Sequence, residues 1–166
     1  HRTSEYLTNI MAIDIQIQDG VGELIINAPP VNALNNAGWR EFADKMTALG
    51  QNPDVNCVVI RSEGRGFQAG VDVKELAENG DLIVELNRGC YDSFAAVYDC
   101  PVPTISAVHG FCIGGGIGIS GASDFVIASD LLSSLGDLGS VTLKPIGQAM
   151  RPSATKPIPL GTHHRR

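Results

Sequence analysis

Basic residues are scarce in this sequence. Twelve lysines and arginines stand against 18 aspartates and glutamates, a formal net charge of −6. A chain with that balance has no broad basic face, which argues against nonspecific nucleic-acid binding. A local cationic patch for a small anionic ligand remains compatible with it, because only nearby charge matters. Long apolar runs are missing, and nothing approaches the length of a membrane span. Cysteine occurs four times (Cys57, Cys90, Cys100, Cys112) and never in Cys-x-x-Cys spacing. The expected reading is buried free thiols in a cytoplasmic protein, with no metal site. The first residues, His1–Tyr6, carry no apolar stretch of the signal-peptide kind. No internal repeat is visible.

Apolar content is ample, at 43% of 166 residues, and suffices for one domain with a buried core. Residues 1–12 read as a flexible lead-in. Ile13, Ile15 and Ile17 alternate with Asp14, Gln16 and Gln18, the period-two pattern of a half-buried strand. Asp19-Gly20 signals a hairpin turn and Glu23–Asn27 the returning strand. Pro29-Pro30 ends that strand. The spacing predicts a helix from about Asn36 to Leu49, capped by Asn35 or Asn36 and stopped at Gly50. Trp39, Phe42, Met46 and Leu49 share one face of it and read as core, not as a cofactor box.

Next come a buried strand over Asn56–Arg61, a glycine-bearing loop over Ser62–Gly70 and a short helix over Val71–Glu78. A second amphipathic helix is expected over Asp81–Tyr98, where Leu82, Leu86, Cys90, Phe94 and Val97 recur at helical spacing and Asp81 can cap. Pro101 stops it. Thr104–Val108 reads as a strand, Ile117–Ala122 as a tightly packed helix and Phe125–Ser129 as a last strand. Strands alternating with helices predict an α/β core over 13–130 with right-handed crossovers. From 131 to 166 the chain is rich in Ser, Pro, Gly, Leu and Thr, with Pro145, Pro152, Pro157 and Pro159. No period persists there, so an irregular tail is expected.

Two stretches stand out as carriers of chemistry. In Ala107-Val-His-Gly-Phe-Cys-Ile-Gly-Gly-Gly-Ile-Gly-Ile-Ser-Gly121 three glycines, Gly114, Gly115 and Gly116, open the expected small helix. Adjacent glycines let backbone N–H groups approach a ligand that a Cβ would hold off. At a helix start those N–H groups are unpaired and the dipole is positive, so an oxyanion or phosphate is favoured. A tight turn with close helix packing is the other reading of the same glycines. The second stretch is Glu63-Gly-Arg-Gly-Phe-Gln-Ala-Gly-Val-Asp-Val-Lys-Glu-Leu76, between a strand and a helix.

Together the two stretches resemble the crotonase (enoyl-CoA hydratase/isomerase) superfamily. Its members carry a Gly-x-x-Phe-x-Ala-Gly-x-Asp-x-Lys-Glu-like segment. A Pro-x-Ile-Ala-x-Val-x-Gly-x-x-x-Gly-Gly-Gly segment follows at the separation seen here. Pro30-Val-Asn-Ala-Leu34 fits a further family segment, and the resemblance covers roughly Ile13 to Ser129. It implies a ββα spiral fold of which only the N-terminal core is present, the C-terminal trimerisation helices being missing. It also implies a CoA thioester as substrate, with CoA entering as part of that substrate and no permanently bound cofactor. The thioester oxygen would lie between two backbone N–H groups, those of Val71 and Gly115. Ala69, Gly70, Asp72, Val73, Lys74, Gly114 and Gly116 would line the CoA side, with Lys74 or Arg65 as a phosphate partner; a solvated surface charge is the other reading of Lys74, Glu75 and Arg65. It implies the homotrimers or hexamers typical of the family, although the segment that builds them is expected to be missing from this chain.

The resemblance also marks departures. Family hydratases use two glutamates, one falling at Gly118 here and the other near Leu138; the adjacent Asp137 is the nearest acid. Ordinary enoyl-CoA hydration, as in fatty-acid β-oxidation, therefore becomes a secondary reading. The words Gly64-Arg-Gly-Phe67, Asn87-Arg-Gly-Cys90 and Gly110-Phe-Cys-Ile-Gly-Gly-Gly-Ile-Gly118 look like an actinobacterial branch that opens steroid-derived rings hydrolytically as CoA thioesters. A catalytically weak, truncated relative that binds acyl-CoA or a partner is the other alternative. Asp72 has two readings, a helix cap, which is preferred, and a base facing the acyl pocket. Cys112 is a conceivable nucleophile without a recognisable helper base. His109 is expected to make a structural hydrogen bond. Ser120 and Ser123 lack triad partners. Gly116-Ile-Gly-Ile-Ser-Gly121 matches the dinucleotide pattern only formally, because it does not follow directly on a strand.

Overall fold

A computed structural model of the chain describes residues 12–129. The expected tail, most of the expected lead-in, Asp137 and Leu138 lie outside the described residues. Strand β1 (Ile13–Gln18) turns at Asp19 and Gly20 into β2 (Val21–Ile26). Both turn residues take positive φ, 52° and 81°, as a two-residue hairpin requires. Helix α1 (Asn36–Gln51) leads to β3 (Cys57–Ser62), and α2 (Val73–Glu78) with α3 (Ile83–Tyr98) leads to β4 (Thr104–Val108). Helix α4 (Gly115–Ala122) leads to β5 (Phe125–Ala128).

The five strands lie in sequence order, β1 antiparallel to β2 and the rest parallel. Parallel neighbours need crossovers, and the helices supply them. Helix α1 packs on α3 and on β1 to β3, while α3 packs on α4. Between these layers lies one core that contains Leu24, Ile26, Trp39, Phe42, Met46, Val58, Ile60, Phe67, Leu86 and Ile119. Burial of each large apolar side chain contributes about 1.5–3 kcal/mol. Among the described residues no helix is long and apolar enough to cross a membrane.

Most elements fall where the sequence places them, with instructive shifts. Asn35 caps α1, its side chain accepting the Gly38 N–H at 2.8 Å. The helix runs past Gly50 to Gln51 and is closed at Asn52, whose N–H donates to the Leu49 carbonyl; Gly50 is glycine because Cys100 and Pro101 pack against it. Asp81 does not cap α3. It sits in a 3₁₀ turn, Gly80–Leu82, whose own cap is Asn79, and α3 begins at Ile83 with no side-chain cap. In β1 only Ile13 is buried, whereas Ile15 and Ile17 are exposed. That strand is at the edge of the sheet, where α1 covers one end of it. Of the cysteines only Cys112 is buried; Cys57, Cys90 and Cys100 are half-buried.

Candidate functional site

The two motif loops meet. Gln68 bridges Cys112 in parallel fashion, and Ile113 donates its N–H to the Gln68 carbonyl at 2.9 Å. A second parallel bridge joins Leu34 to Val71: Leu34 N–H donates to the Gly70 carbonyl at 3.0 Å, and Asp72 N–H donates to the Leu34 carbonyl at 2.9 Å. In a parallel bridge the central residue turns its own N–H to the opposite side. The Val71 N–H is therefore directed away from Leu34, and it has no partner among the described residues.

Gly115 is the first residue of α4, so its N–H has no intrahelical acceptor. The carbonyl of its own peptide, on Gly114, accepts from Ile117 at 3.0 Å and Gly118 at 3.3 Å. Peptide planarity then points the Gly115 N–H outward along the helix start. Gly70 and Gly114 both take positive φ, 89° and 54°. They abut closely enough that a Cβ on Gly70 would be 3.5 Å from the Gly115 nitrogen. Two donors without an acceptor among the described residues thus lie on adjoining turns, one with a helix dipole behind it, an arrangement suited to a developing oxyanion.

The glycines are small for reasons that the sequence does not reveal. A Cβ on Gly115 would point into the buried Trp39 ring, 2.5 Å from Cζ2, and not toward a ligand. One on Gly116 would meet the Gln68 carbonyl at 2.7 Å. At Gly118, where family hydratases place a glutamate, a Cβ would fall 2.6 Å from Cε1 of Phe94. The aromatic ring of α3 occupies that space.

Asp72 caps α2, its Oδ1 accepting the Lys74 N–H at 3.0 Å. The helix begins at Val73, two residues after the expected start, and Val71 stays extended beside Leu34. Ala69 is half-buried, whereas Val73 and Lys74 are exposed. Glu75 is not the free surface charge that sequence reasoning suggests. Its Oε2 accepts the Asn36 N–H at 2.7 Å, which ties α2 to the start of α1. His109 bonds the Gly64 carbonyl through Nε2 at 3.0 Å, the structural role expected of it. Ser120 and Ser123 bond helix carbonyls or neighbouring hydroxyls, and among the described residues neither hydrogen-bonds a histidine.

Cys112 is buried, and desolvation pushes its thiol up, against a weaker opposing bond to Ser120. Nucleophilic cysteines need the reverse. Burial pushes Cys90 up to about 11. Both thiols are expected to react with iodoacetamide at pH 8 at least about tenfold more slowly in native protein than in urea. Cys90 should become reactive only as pH approaches about 11. Peptide mass spectrometry reads both rates, and rapid native labelling of Cys112 would contradict the packing around it.

Sequence reasoning missed Gln68, which is fully buried. Its side-chain Oε1 accepts the Gly70 N–H and its Nε2 donates to the Gly70 carbonyl, each at 2.7 Å. The signal was a long amide inside an otherwise small and apolar loop.

Residues 16–134 match the enoyl-CoA hydratase/isomerase family. The (7aS)-7a-methyl-1,5-dioxo-2,3,5,6,7,7a-hexahydro-1H-indene-carboxyl-CoA hydrolase of Rhodococcus jostii (strain RHA1) is 53% identical over 114 residues, 68% of this chain and 44% of its own. The hydrolase of the same description from Mycobacterium tuberculosis (strain ATCC 25618 / H37Rv) is 48% identical over 115 residues, 68% of this chain and 47% of its own. The chain thus spans about half the length of these curated relatives. Among solved structures, a putative enoyl-CoA hydratase/isomerase (crotonase) from Legionella pneumophila subsp. pneumophila str. Philadelphia 1 superimposes with a TM-score of 0.68 at 27% identity, over 74% of this chain and 49% of that one. The fold expected from the two motifs is the fold found.

Proposed function

Because the chain belongs to the enoyl-CoA hydratase/isomerase family, we propose that its site binds a CoA thioester and stabilises the enolate formed from it. The observation that carries this reading is the pair of N–H groups on Val71 and Gly115, neither with an acceptor among the described residues, at the junction of the two loops. The relatives' printed substrate guides the choice of acyl group: a fused bicyclic dione carried on CoA. Water adds to a ring ketone β to the thioester, and the bond from that carbon to the thioester α-carbon breaks. The released electron pair delocalises onto the thioester oxygen, which the two N–H groups hold. A proton then returns to the α-carbon, so one water is consumed and the ring opens to a carboxylic acid. Preorganised donors of this kind contribute about 3–4 kcal/mol each to the transition state. Gly118 disfavours the hydratase alternative, since α3 fills the space that a glutamate would need.

Two cations suit the CoA phosphates. Of the six described lysines and arginines, Arg40, Lys45, Arg61 and Arg88 have carboxylate partners, whereas Arg65 and Lys74 have none among the described residues. Both are exposed and flank the loop that carries Val71. Lys74→Ala and Arg65→Ala are each expected to weaken acyl-CoA binding about two- to fivefold at low ionic strength. The differences should fade near 0.5 M salt, where the screening length is only about 4 Å. Calorimetric titration with benzoyl-CoA measures this.

The reading itself is tested by incubating the protein with a bicyclic β-keto CoA thioester and following product mass. A gain of one water with loss of the ring ketone is expected. Hydration of crotonyl-CoA with an unchanged dione would overturn it.

A further inference from the structure

We propose that Gln68 is a positioning residue, setting the direction of the Val71 N–H and joining the two halves of the donor pair. The proposal rests on the oxyanion reading above. The Gly70 carbonyl and the Val71 N–H belong to one planar peptide and point in opposite directions. Whatever grips the carbonyl therefore aims the N–H. Two donors grip it: Leu34 N–H at 3.0 Å and Gln68 Nε2 at 2.7 Å. Gln68 also accepts the N–H of the preceding peptide at 2.7 Å, so one side chain clamps both peptides that flank Gly70.

That clamp grips a glycine. Gly70 has φ 89°, and no Cβ restricts its rotation. It is buried, so its N–H would lose its only partner among the described residues if the amide were removed. An unpaired buried donor is costly, and the peptide would rotate to relieve it. Gln68 reaches the other loop as well. Its carbonyl takes the Ile113 N–H at 2.9 Å, and its Oε1 and Cβ would each be 3.2 Å from a Cβ on Gly116. The side chain that orients the Val71 donor thus packs against the turn that presents the Gly115 donor. A shorter amide cannot span to Gly70 from this position, and an apolar side chain of equal length cannot grip it.

The test reads polarisation of a bound carbonyl and not turnover. Benzoyl-CoA labelled with ¹³C at the thioester carbonyl is bound to the full chain, and isotope-edited infrared spectroscopy measures its stretch. Wild-type protein should move the stretch to lower frequency than in water, because two preorganised donors act on it. Gln68→Met keeps length and volume without the amide. Gln68→Glu keeps the acceptor for Gly70 N–H and removes the donor to its carbonyl. Each is expected to lose at least about half of the shift. Binding affinity should stay within about threefold of wild type, since most contacts of a bound CoA lie elsewhere. A full shift in either folded variant would overturn the proposal. Loss of the folded state in both would make Gln68 a stability residue and overturn it too. Wild-type protein that binds the probe without any shift would instead refute the oxyanion reading on which this one depends.

Discussion

Gly115→Ala is expected to lower the unfolding free energy by about 3 kcal/mol and to remove most of the site's carbonyl polarisation. The methyl group would be directed at Trp39, 2.5 Å from Cζ2. Trp39 is fully buried and cannot withdraw. Phe42 lies 6.4 Å from it, Phe94 meets it edge-on at 5.8 Å, and its Cβ is close against Gly89. Relief must come from the start of α4, and that movement carries the Gly115 N–H with it. A donor displaced from its target costs about 10²–10³ in rate for oxyanion chemistry. Urea unfolding and the infrared shift of bound benzoyl-CoA should therefore fall together. A midpoint close to wild type would show that the ring has room, and that Gly115 is small for the ligand's sake after all.

That coupling of core and site was not legible in the sequence. Trp39 reads correctly as core from its spacing with Phe42 and Met46, and Gly115 reads correctly as a special glycine. Nothing in a linear pattern says that one lies beneath the other. Local signals did better. The Asp19-Gly20 turn, the Asn35 cap, the Asp72 cap and the strand Thr104–Val108 all follow from residues within a few positions of one another. The start of α3 departs from the pattern for the same local reason: Asn79 and Asp81 are both cap-type residues, but Asn79 caps the preceding 3₁₀ turn and the long helix continues from that turn at Ile83 without a side-chain cap. Ile15 and Ile17 alternate properly, but only Ile13 finds a helix above it. Glu75 and Gln68 were missed because their meaning lies in partners that folding supplies. Glu75 caps a helix 39 residues away, and Gln68 turns back on its own loop.

Gly118→Glu, which restores the acid that hydratases carry at this place, is expected to destabilise the chain by about 2 kcal/mol without conferring hydration of crotonyl-CoA. A Cβ at this position would be 2.6 Å from Cε1 of Phe94, so the new side chain starts inside an aromatic ring. Phe94 is half-buried and packs edge-on against Trp39 at 5.8 Å, so moving it aside gives up that contact. Phe94→Ala alone should cost about 3 kcal/mol through the cavity it leaves and the lost aromatic pair. In the double variant the two defects answer each other: the glutamate stem fills space that the ring vacates. The combined loss should be smaller than the sum of the single losses by at least about 1 kcal/mol, a coupling measurable by urea unfolding of all four proteins. Losses that add within about 0.5 kcal/mol would mean that the two positions do not share that space. Strong coupling would mean that glycine at 118 and phenylalanine at 94 are one feature. The place of the absent carboxylate would then be taken by a packed aromatic side chain, which leaves no room there for the water that a hydratase must deliver.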